Sequence, residues 1–312
     1  MTDRGRTAAR VTVGGITVDL SNTGKIFYPA DHLTKGDVVE YYRAVAGRML
    51  PYLRDRPVTM DRYPDGITGP RIVQKNVPRY FPDWITRTEV KKQGGTLQHV
   101  ICDKPATLVY LANQACIELH VFLSRTDRID HPDQLVFDLD PPAAGGFPAA
   151  RQAALWLKSL LSDELGVAPF VKTTGGRGLH VHVPLSRREG FEEVRAFASA
   201  AAAVLAARHP DALTTEQRRE KRGDRLYLDV MRDAYAQTVV APYAVRARPG
   251  AGVATPLHWD DVGDPALNPA AFSLRTVPGR LAATDDPWAG LSRRRYSVAT
   301  LRRRLDEVAA RG

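Results

Sequence analysis

The sequence predicts an α+β protein in which a small α/β module is followed by an antiparallel sheet with two helices. After residue 131, short apolar strands and helix-like segments follow one another in the order β-α-β-β-α-β. This is the order of the split βαβ unit, in which both helices cover one face and the first strand lies between the third and fourth. In two of the strands, acidic residues or histidines recur at every second position, which puts them on one face.

Composition fits a globular chain of one large or two small units, with 312 residues, of which 44% are hydrophobic and 25% charged. The longest apolar run, residues 200–207, is far too short to span a membrane. Cys102 and Cys116 lie in apolar surroundings, so we expect buried thiols in a reducing cytoplasm. The formal net charge of +9 suits a polyanionic partner such as nucleic acid but does not require one.

The N-terminal module is predicted over about residues 10–130 of a single domain. Apolar groups recur at helical spacing over residues 35–53, and a second helix is predicted over residues 105–122. Short β-like segments and turns lie between the two helices.

The second module is predicted over residues 131–290, and a basic helix over residues 291–312 ends the chain. Its strands are predicted at residues 135–138, 169–172, 179–184 and 226–231, and its helices at residues 149–165 and 191–208. A TGGRG turn at residues 174–178 joins the second and third strands.

The residues that carry chemistry fall on adjacent strands of this module. Asp138 and Asp140 stand two positions apart as the first strand ends, so their side chains share a face. The predicted strand order brings Asp229 of the fourth strand next to them. His180 and His182 of the third strand approach from the other side. We therefore predict that three carboxylates and two imidazoles converge on the open sheet face.

Such a cluster indicates a metal–phosphate site. Carboxylates at close range repel one another unless cations neutralise them, and their hard oxygens suit Mg²⁺ or Mn²⁺. Two such ions about 3.5–4 Å apart support in-line phosphoryl transfer. A DxD alone is more often a turn device, and an HxH alone is more often a strand with one satisfied histidine. Their coincidence in one unit favours the metal–phosphate interpretation.

Cationic and glycine-rich segments near the cluster suit phosphate groups. The TGGRG segment is most simply a hairpin turn, but its backbone amides and Arg177 could also cradle a phosphate. Arg232, Arg246 and Arg248 follow Asp229 in the sequence and could offset triphosphate charge. The alternative for these arginines is a solvated loop, which suits Arg248 better than Arg246.

At these motifs the sequence resembles the polymerase domain of bacterial DNA ligase D, a member of the archaeo-eukaryotic primase superfamily that also has stand-alone relatives of the Prim-PolC type. The motifs VFDLDPP, GGRGLHVHVPL and VVAPYAVRARPGA occur in the family's order, and the likeness runs from residue 20 to residue 288. The resemblance implies a primase-polymerase fold with an RRM-like catalytic sheet, and two-metal nucleotidyltransferase activity with Mn²⁺ or Mg²⁺.

The resemblance also implies roles for individual residues. Asp138, Asp140 and Asp229 match the family's catalytic, metal-binding carboxylates. Positions that bind the incoming nucleotide are matched by His120, Thr174, Arg177, His180, Arg232 and Arg246. At the positions of Thr174 and Arg177, relatives usually carry Ser and Lys. The alternative for His120 is a residue that caps carbonyls at the end of a helix.

Three positions match residues that contact DNA in the family. Lys25 and Lys35 match lysines that grip the 5′-phosphate of the downstream strand, although the sequence alone indicates only surface lysines. Arg222 lies in a basic loop, RREKRGDR, that the family places near DNA ends.

Two departures from the family concern template engagement and strand bridging. Relatives often carry an aromatic pair that packs against the template or downstream duplex, where this chain has Ile72 and Val73. A lysine common before the APY strand is replaced by Gln237.

The leading hypothesis is a DNA-directed polymerase that fills gaps or extends ends in repair and non-homologous end joining. The resemblance implies a preference for ribonucleotides, partners such as Ku and the ligase D machinery, and work at the nucleoid in a bacterial cytoplasm. The alternatives are a primase that makes primers de novo, a non-catalytic RRM-like binding module and, more weakly, a metal-dependent nuclease. An RRM-like binding sheet would present stacking aromatics instead of carboxylates.

The sequence contains no lysine-centred ligase motif and no phosphoesterase-like histidine cluster. We therefore expect either a stand-alone enzyme or an excised domain, and the end at Gly312 favours the former.

Overall fold

The computed structural model describes residues 9–142 and 146–311 and confirms the α+β class. The terminal residue of the predicted C-terminal helix, Gly312, lies outside this description. Among the residues described, no helix is both long and apolar enough to cross a membrane. The chain divides into two compact units. The first comprises Met1–Phe122, Val240–Ala254 and Ala270–Thr284, and the second Leu123–Val239, Thr255–Pro269 and Asp285–Gly312.

Both units contain strands and helices. The strands are β1 (Ala9–Val13), β2 (Ile16–Leu20), β3 (Ile26–Tyr28), β4 (Leu33–Thr34), β5 (Pro57–Arg62), β6 (Ile72–Gln74), β7 (Arg87–Lys92), β8 (Gly95–Ile101), β9 (Cys116–Phe122), β10 (Gln134–Asp140), β11 (Phe170–Thr173), β12 (Leu179–Pro184), β13 (Leu213–Thr214), β14 (Leu226–Asp229), β15 (Thr238–Val240) and β16 (Pro256–Leu257). The α-helices are α1 (Lys35–Leu53), α2 (Pro105–Asn113), α3 (Gly146–Ser159), α4 (Phe191–Arg208), α5 (Trp259–Gly263), α6 (Val277–Ala283) and α7 (Val298–Ala309). A π-helical turn, Leu160–Glu164, continues α3. Single 3₁₀ turns lie at Thr126–Arg128, Arg219–Lys221, Pro269–Ala271 and Leu291–Arg293.

The first helix has its predicted bounds, and a capping box fixes where it begins. The Thr34 hydroxyl accepts a hydrogen bond from the Asp37 backbone N–H, and the Asp37 carboxylate accepts one from the Thr34 backbone N–H. Asp37 also places negative charge at the positive end of the helix dipole. On the buried side of α1, the Tyr42 hydroxyl donates to the Ile117 carbonyl at 2.6 Å, which ties the helix to β9.

The prediction of one helix over residues 105–122 is wrong. The helix ends at Asn113, and Cys116–Phe122 form a strand inside the sheet. Ala115 has a φ of 62°, and a left-handed residue of this kind ends a helix. The segment beyond it, CIELHVF, is rich in the β-branched and aromatic residues that favour strands. His120 therefore does not cap a helix.

The sheet of the first unit has the order β15-β9-β5-β8-β7, with β6 also paired to β5. β5 and β9 are antiparallel, and their register pairs Thr59 with His120 and Asp61 with Glu118. Because positions two apart in a strand share a face, these four side chains lie on one face of the sheet.

The sheet of the second unit confirms the predicted topology. Its order is β13-β14-β10-β12-β11-β16, so the first strand of the βαββαβ unit lies between the third and fourth. Both α3 and α4 pack against β10. Leu135, Phe137 and Leu139 are fully buried, whereas Asp138 is half-buried and Asp140 exposed. The alternation along β10 therefore leaves the two aspartates on the less covered face.

Candidate active site

The three predicted aspartates meet at the ends of β10 and β14. Asp138 pairs with Asp229 across the two strands, and Asp140 lies two positions further along the same face. One carboxylate oxygen from each residue lies within 4.8 Å of those of the other two. The structure therefore brings the three carboxylates together, as expected from the sequence.

His180 and Lys172 extend this row across the sheet. His180 pairs with Asp138, and its Nε2 lies 3.2 Å from Asp138 Oδ1. Lys172 pairs with His180 on the next strand and is completely buried. The row Asp229–Asp138–His180–Lys172 thus runs from acidic to basic groups across four strands. Lys172 was not predicted from the sequence, where its only signal was a single cation in the apolar strand FVKT.

The aspartate cluster carries unfavourable like charge. Partial desolvation of the carboxylate, together with the negative charges of Asp138 and Asp229, raises the pKa of Asp140 to about 6, and the charges of Arg222 and Arg232 oppose this rise. Three oxygen donors of this kind fit divalent cations such as Mg²⁺ or Mn²⁺. The residues that would hold such ions are Asp138, Asp140 and Asp229.

The raised pKa of Asp140 predicts how stability depends on pH without metal. Its folded pKa, about 6, exceeds the ordinary value of 3.8, so the folded protein binds more protons than the unfolded chain between these values. In a chelating buffer, the free energy of unfolding should therefore fall as pH rises from about 4 to about 6 and stay lower above that. Asp140→Asn should remove this loss and be more stable than wild type at pH 7.

Thermal unfolding between pH 4 and pH 8 measures this difference. Asp211→Asn is the matched control, because Asp211 is an exposed aspartate of the same unit. Parallel pH profiles for wild type and Asp140→Asn would contradict the electrostatic interpretation of the cluster.

The turn between β11 and β12 lies against the end of β10. Thr174 donates from its backbone N–H and its hydroxyl to the Gly178 carbonyl, at 3.1 and 3.3 Å. A Cβ on Gly178 would lie only 2.6 Å from the Leu139 carbonyl oxygen, so glycine permits this close approach. The turn holds Thr174 beside the strand that carries the aspartates, and Arg177 is exposed at its tip.

Two further predicted residues lie around the cluster. The Arg222 guanidinium stacks on the Tyr227 ring at 3.8 Å and donates to the backbone carbonyls of Glu216 and Gln217 at 2.9 and 2.8 Å. Tyr227 pairs with Asp140 across β14 and β10. The second residue is Arg232, which is exposed and follows β14.

His182 does not join the predicted cluster of functional groups. Its Nδ1 lies 2.8 Å from Gln134 Oε1, and its ring packs against Trp288 with the centroids 4.7 Å apart. All three side chains are buried, so His182 helps to hold the sheet to the C-terminal segment.

His120 and Arg246 belong to the first unit, where both contact Glu118. His120 Nε2 lies 3.2 Å from Glu118 Oε2 and 3.3 Å from Asp61 Oδ2. Arg246 Nε donates to Glu118 Oε2 at 3.0 Å, and the Ala247 backbone N–H donates to the other carboxylate oxygen at 2.8 Å. Neither acid was predicted from the sequence. The helix assigned to residues 105–122 hid the alternation of Glu118 and His120, and Asp61 lies on a strand distant in sequence.

These contacts determine the charge state of Glu118. Burial works against the ionised form of Glu118, but hydrogen bonds from His120 and Ala247 and the charge of Arg246 lower its pKa to about 2. Carboxylate and imidazole atoms of Asp61, Glu118 and His120 also lie within 4.8 Å of one another, as metal ligands could. However, arginines already contact both acids, so the arrangement is better described as a salt-bridge network.

Lys25 and Lys35 lie together at the β3–β4 hairpin, where the Lys35 backbone N–H donates to the Lys25 carbonyl at 2.8 Å. Lys25 Nζ contacts Asp65 at 2.7 Å, and Lys35 Nζ donates to the Ser21 carbonyl at 2.5 Å. Lys35 is buried and is not the surface lysine that the sequence alone indicates. Burial and the charges of Lys25 and Arg62 lower the pKa of Lys35 to about 8.

An RRM-like βαββαβ sheet with three aspartates gathered on its open face defines a nucleotidyltransferase of the primase-polymerase class. Residues 34–288 match the family described as LigD, primase-polymerase domain. The chain belongs to this family.

Similar proteins support the assignment. The bifunctional non-homologous end joining protein LigD of Bacillus subtilis is 34% identical over 87% of this chain and 43% of its own length. The multifunctional non-homologous end joining protein LigD of Pseudomonas aeruginosa is 32% identical over 96% of this chain and 35% of its own length. The chain thus spans less than half of either relative. The polymerase domain of Mycobacterium tuberculosis ligase D, solved in complex with DNA, superimposes on this chain with a TM-score of 0.83 at 30% sequence identity. The superposition covers 89% of this chain and 99% of the M. tuberculosis chain.

Proposed function

We propose that this chain is a template-directed polymerase that fills gaps or extends ends of broken DNA in non-homologous end joining. The observation that carries the proposal is the cluster of Asp138, Asp140 and Asp229 on the open face of the primase-polymerase sheet. Similar proteins are named for non-homologous end joining, and a solved relative is bound to DNA, which supports DNA as the substrate.

The three aspartates are proposed to hold two divalent cations, Mn²⁺ or Mg²⁺. Ions bound there would activate the attacking 3′-hydroxyl and neutralise the leaving diphosphate. His180 contacts Asp138 and can orient that carboxylate. The β11–β12 turn, with Thr174 and Arg177, is proposed to bind the triphosphate.

Arginine and histidine side chains complete the proposed nucleotide contacts. Arg232 follows the strand that carries Asp229, and its guanidinium can fork onto phosphate oxygens. In the first unit, His120 and Arg246 are proposed to contact the nucleotide. Ribonucleotides are the proposed preferred substrate, which competition between labelled ribo- and deoxyribonucleotides would test.

Lys25 and Lys35 of the first unit are proposed to bind a downstream 5′-phosphate. A terminal phosphate carries more charge than an internal one and suits the point charge of a lysine ammonium. Burial, together with the charges of Lys25 and Arg62, lowers the pKa of Lys35 to about 8, and a bound phosphate would offset the repulsion between these cations. The wild type should therefore bind a gap with a downstream 5′-phosphate more tightly than one ending in hydroxyl.

We expect the wild-type preference to be a roughly tenfold difference in affinity, and Lys25→Ala combined with Lys35→Met should remove it. Nucleotide addition at a simple primer end should stay intact. Methionine keeps the buried volume of Lys35. Binding of both gaps over a salt series measures the effect, since phosphate contacts weaken as salt rises. Lys92→Ala, at an exposed strand position, is the matched control. Equal affinity of wild type for phosphate and hydroxyl ends would exclude this site.

The proposed function is tested with a 5′-phosphorylated gapped duplex, Mn²⁺ and labelled nucleotides, alongside a primer-free template. Template-dependent extension of the gap without primer synthesis is the expected result. Synthesis on the primer-free template would indicate a primase, and binding without any synthesis would indicate a non-catalytic module. We also propose that the chain interacts with Ku and the ligase D machinery at the bacterial nucleoid. Co-purification with Ku would test this interaction.

A further inference from the structure

Two buried carboxylates face each other in the sheet of the first unit. Asp61 on β5 and Glu118 on β9 are directly paired in register, and both are buried. Like charges directly opposite each other destabilise a sheet, and burial adds a desolvation cost. Such a pair requires cations close to both acids.

Three basic side chains meet this requirement. Arg71 Nη2 contacts Asp61 Oδ2 at 2.5 Å, and Arg246 Nε contacts Glu118 Oε2 at 3.0 Å. His120 lies between the acids, with Nε2 at 3.3 and 3.2 Å from the same two carboxylate oxygens. The two arginines balance the two acids, so a protonated His120 gives the network one net positive charge.

The contacts with the two acids both involve one ring nitrogen of His120. Both acids approach Nε2, so Nε2 carries a proton. In an imidazolium, Nδ1 is a second donor, and it lies on the ring away from Nε2. The His120 side chain keeps 17% of its surface exposed, so an anionic ligand can reach the ring.

We infer that Asp61 and Glu118 are positioning residues that hold His120 as an imidazolium and present its charge and its Nδ1–H to the nucleotide. Glu118 has a second role, because it also fixes the guanidinium of Arg246. The inference rests on the proposed function, which assigns His120 and Arg246 to the nucleotide. It adds the two acids that favour the charged form of the histidine.

The electrostatics of the site agree with this assignment. Burial alone would disfavour the imidazolium, but the hydrogen bonds and charges of Asp61 and Glu118 raise the pKa of His120 above its ordinary value. The other ionisable groups coupled to the network are Arg71, Arg246, Tyr28, Tyr63 and Cys116. Burial raises the pKa of Tyr28, Tyr63 and Cys116, so these three groups stay neutral near pH 7.

The first part of the test needs no nucleotide. The pKa of His120 is measured by NMR titration of protein with isotope-labelled histidine, in wild type, Asp61→Asn and Glu118→Gln. Each substitution keeps the side-chain shape and removes one negative charge, so the His120 pKa should fall by about one unit in each variant. Glu40→Gln, on the exposed face of α1, is the matched control and should leave it unchanged. An unchanged His120 pKa in both folded variants would overturn the inference.

The second part measures nucleoside triphosphate binding from pH 6 to pH 8.5. Asp61→Asn should lose roughly tenfold in affinity above its lowered His120 pKa and regain affinity as the pH falls below that pKa, where the imidazole is charged again. Glu118→Gln should recover only in part, because Arg246 has also lost its acid. A purely structural defect would not show this pH-dependent recovery. A pH-independent loss in Asp61→Asn would therefore overturn the inference.

The two parts also separate the network from the proposed function. If wild type bound no nucleoside triphosphate while the His120 pKa still fell in both variants, the proposed function and the ligand role of His120 would both fail. The charge network itself would stand.

Discussion

Asp138→Asn is expected to abolish nucleotide addition in a protein that stays folded. Asp138 is central in the cluster, since it pairs with Asp229 on one side and contacts His180 on the other. Loss of a metal-binding carboxylate removes charge stabilisation worth several kcal/mol, which corresponds to a fall in rate of roughly 10³-fold or more. Asp140→Asn should have a similar effect. Single-turnover extension of a gapped duplex, with thermal unfolding to confirm folding, measures both variants.

Asp211→Asn is the control for these experiments, because it removes an exposed carboxylate of the same unit. Near-normal extension by folded Asp138→Asn or Asp140→Asn would contradict the assignment of the cluster as the metal site.

Arg246→Ala is expected to weaken nucleotide binding by roughly 1.5–3 kcal/mol, the contribution of a charge-assisted hydrogen bond. The guanidinium is held by Glu118, and the Arg246 carbonyl accepts a hydrogen bond from the Tyr28 hydroxyl at 2.9 Å, so the side chain is well ordered for binding. The variant should also unfold at a lower temperature, because a buried carboxylate loses one of its cations. DNA affinity without nucleotide should change little.

Separate titrations with nucleoside triphosphate and with gapped DNA distinguish these effects. Arg248→Ala is the matched control, since Arg248 is an exposed arginine of the same segment. A fall in DNA affinity with unchanged nucleotide affinity would assign Arg246 to the DNA-binding surface.

Much of the catalytic sheet could be predicted because its signals are local. Alternating apolar residues give β12 its predicted bounds, residues 179–184, and the Ala-rich helix α4 also begins and ends as expected. Once the βαββαβ order is recognised, topology alone brings Asp138, Asp229 and His180 together.

The features that were not predicted from the sequence depend on contacts between distant segments. Asp61 and Glu118 are 57 positions apart, and only the register of two strands makes them neighbours. The end of α2 depends on a single left-handed residue, Ala115, which an apolar pattern does not reveal. Similarly, Lys35 begins a helix in the sequence, but it is buried because its ammonium group donates to the Ser21 carbonyl.

The position of bound metal is the most direct test of the central claim, because two clusters of potential ligands occur among the described residues. Crystals grown with Mn²⁺ and a non-hydrolysable nucleoside triphosphate would show the ion by anomalous scattering. Peaks are expected between the carboxylates of Asp138, Asp140 and Asp229, where like charge is least compensated. Manganese bound only between Asp61, Glu118 and His120, or absent from the three aspartates while nucleotide is bound, would contradict the claim.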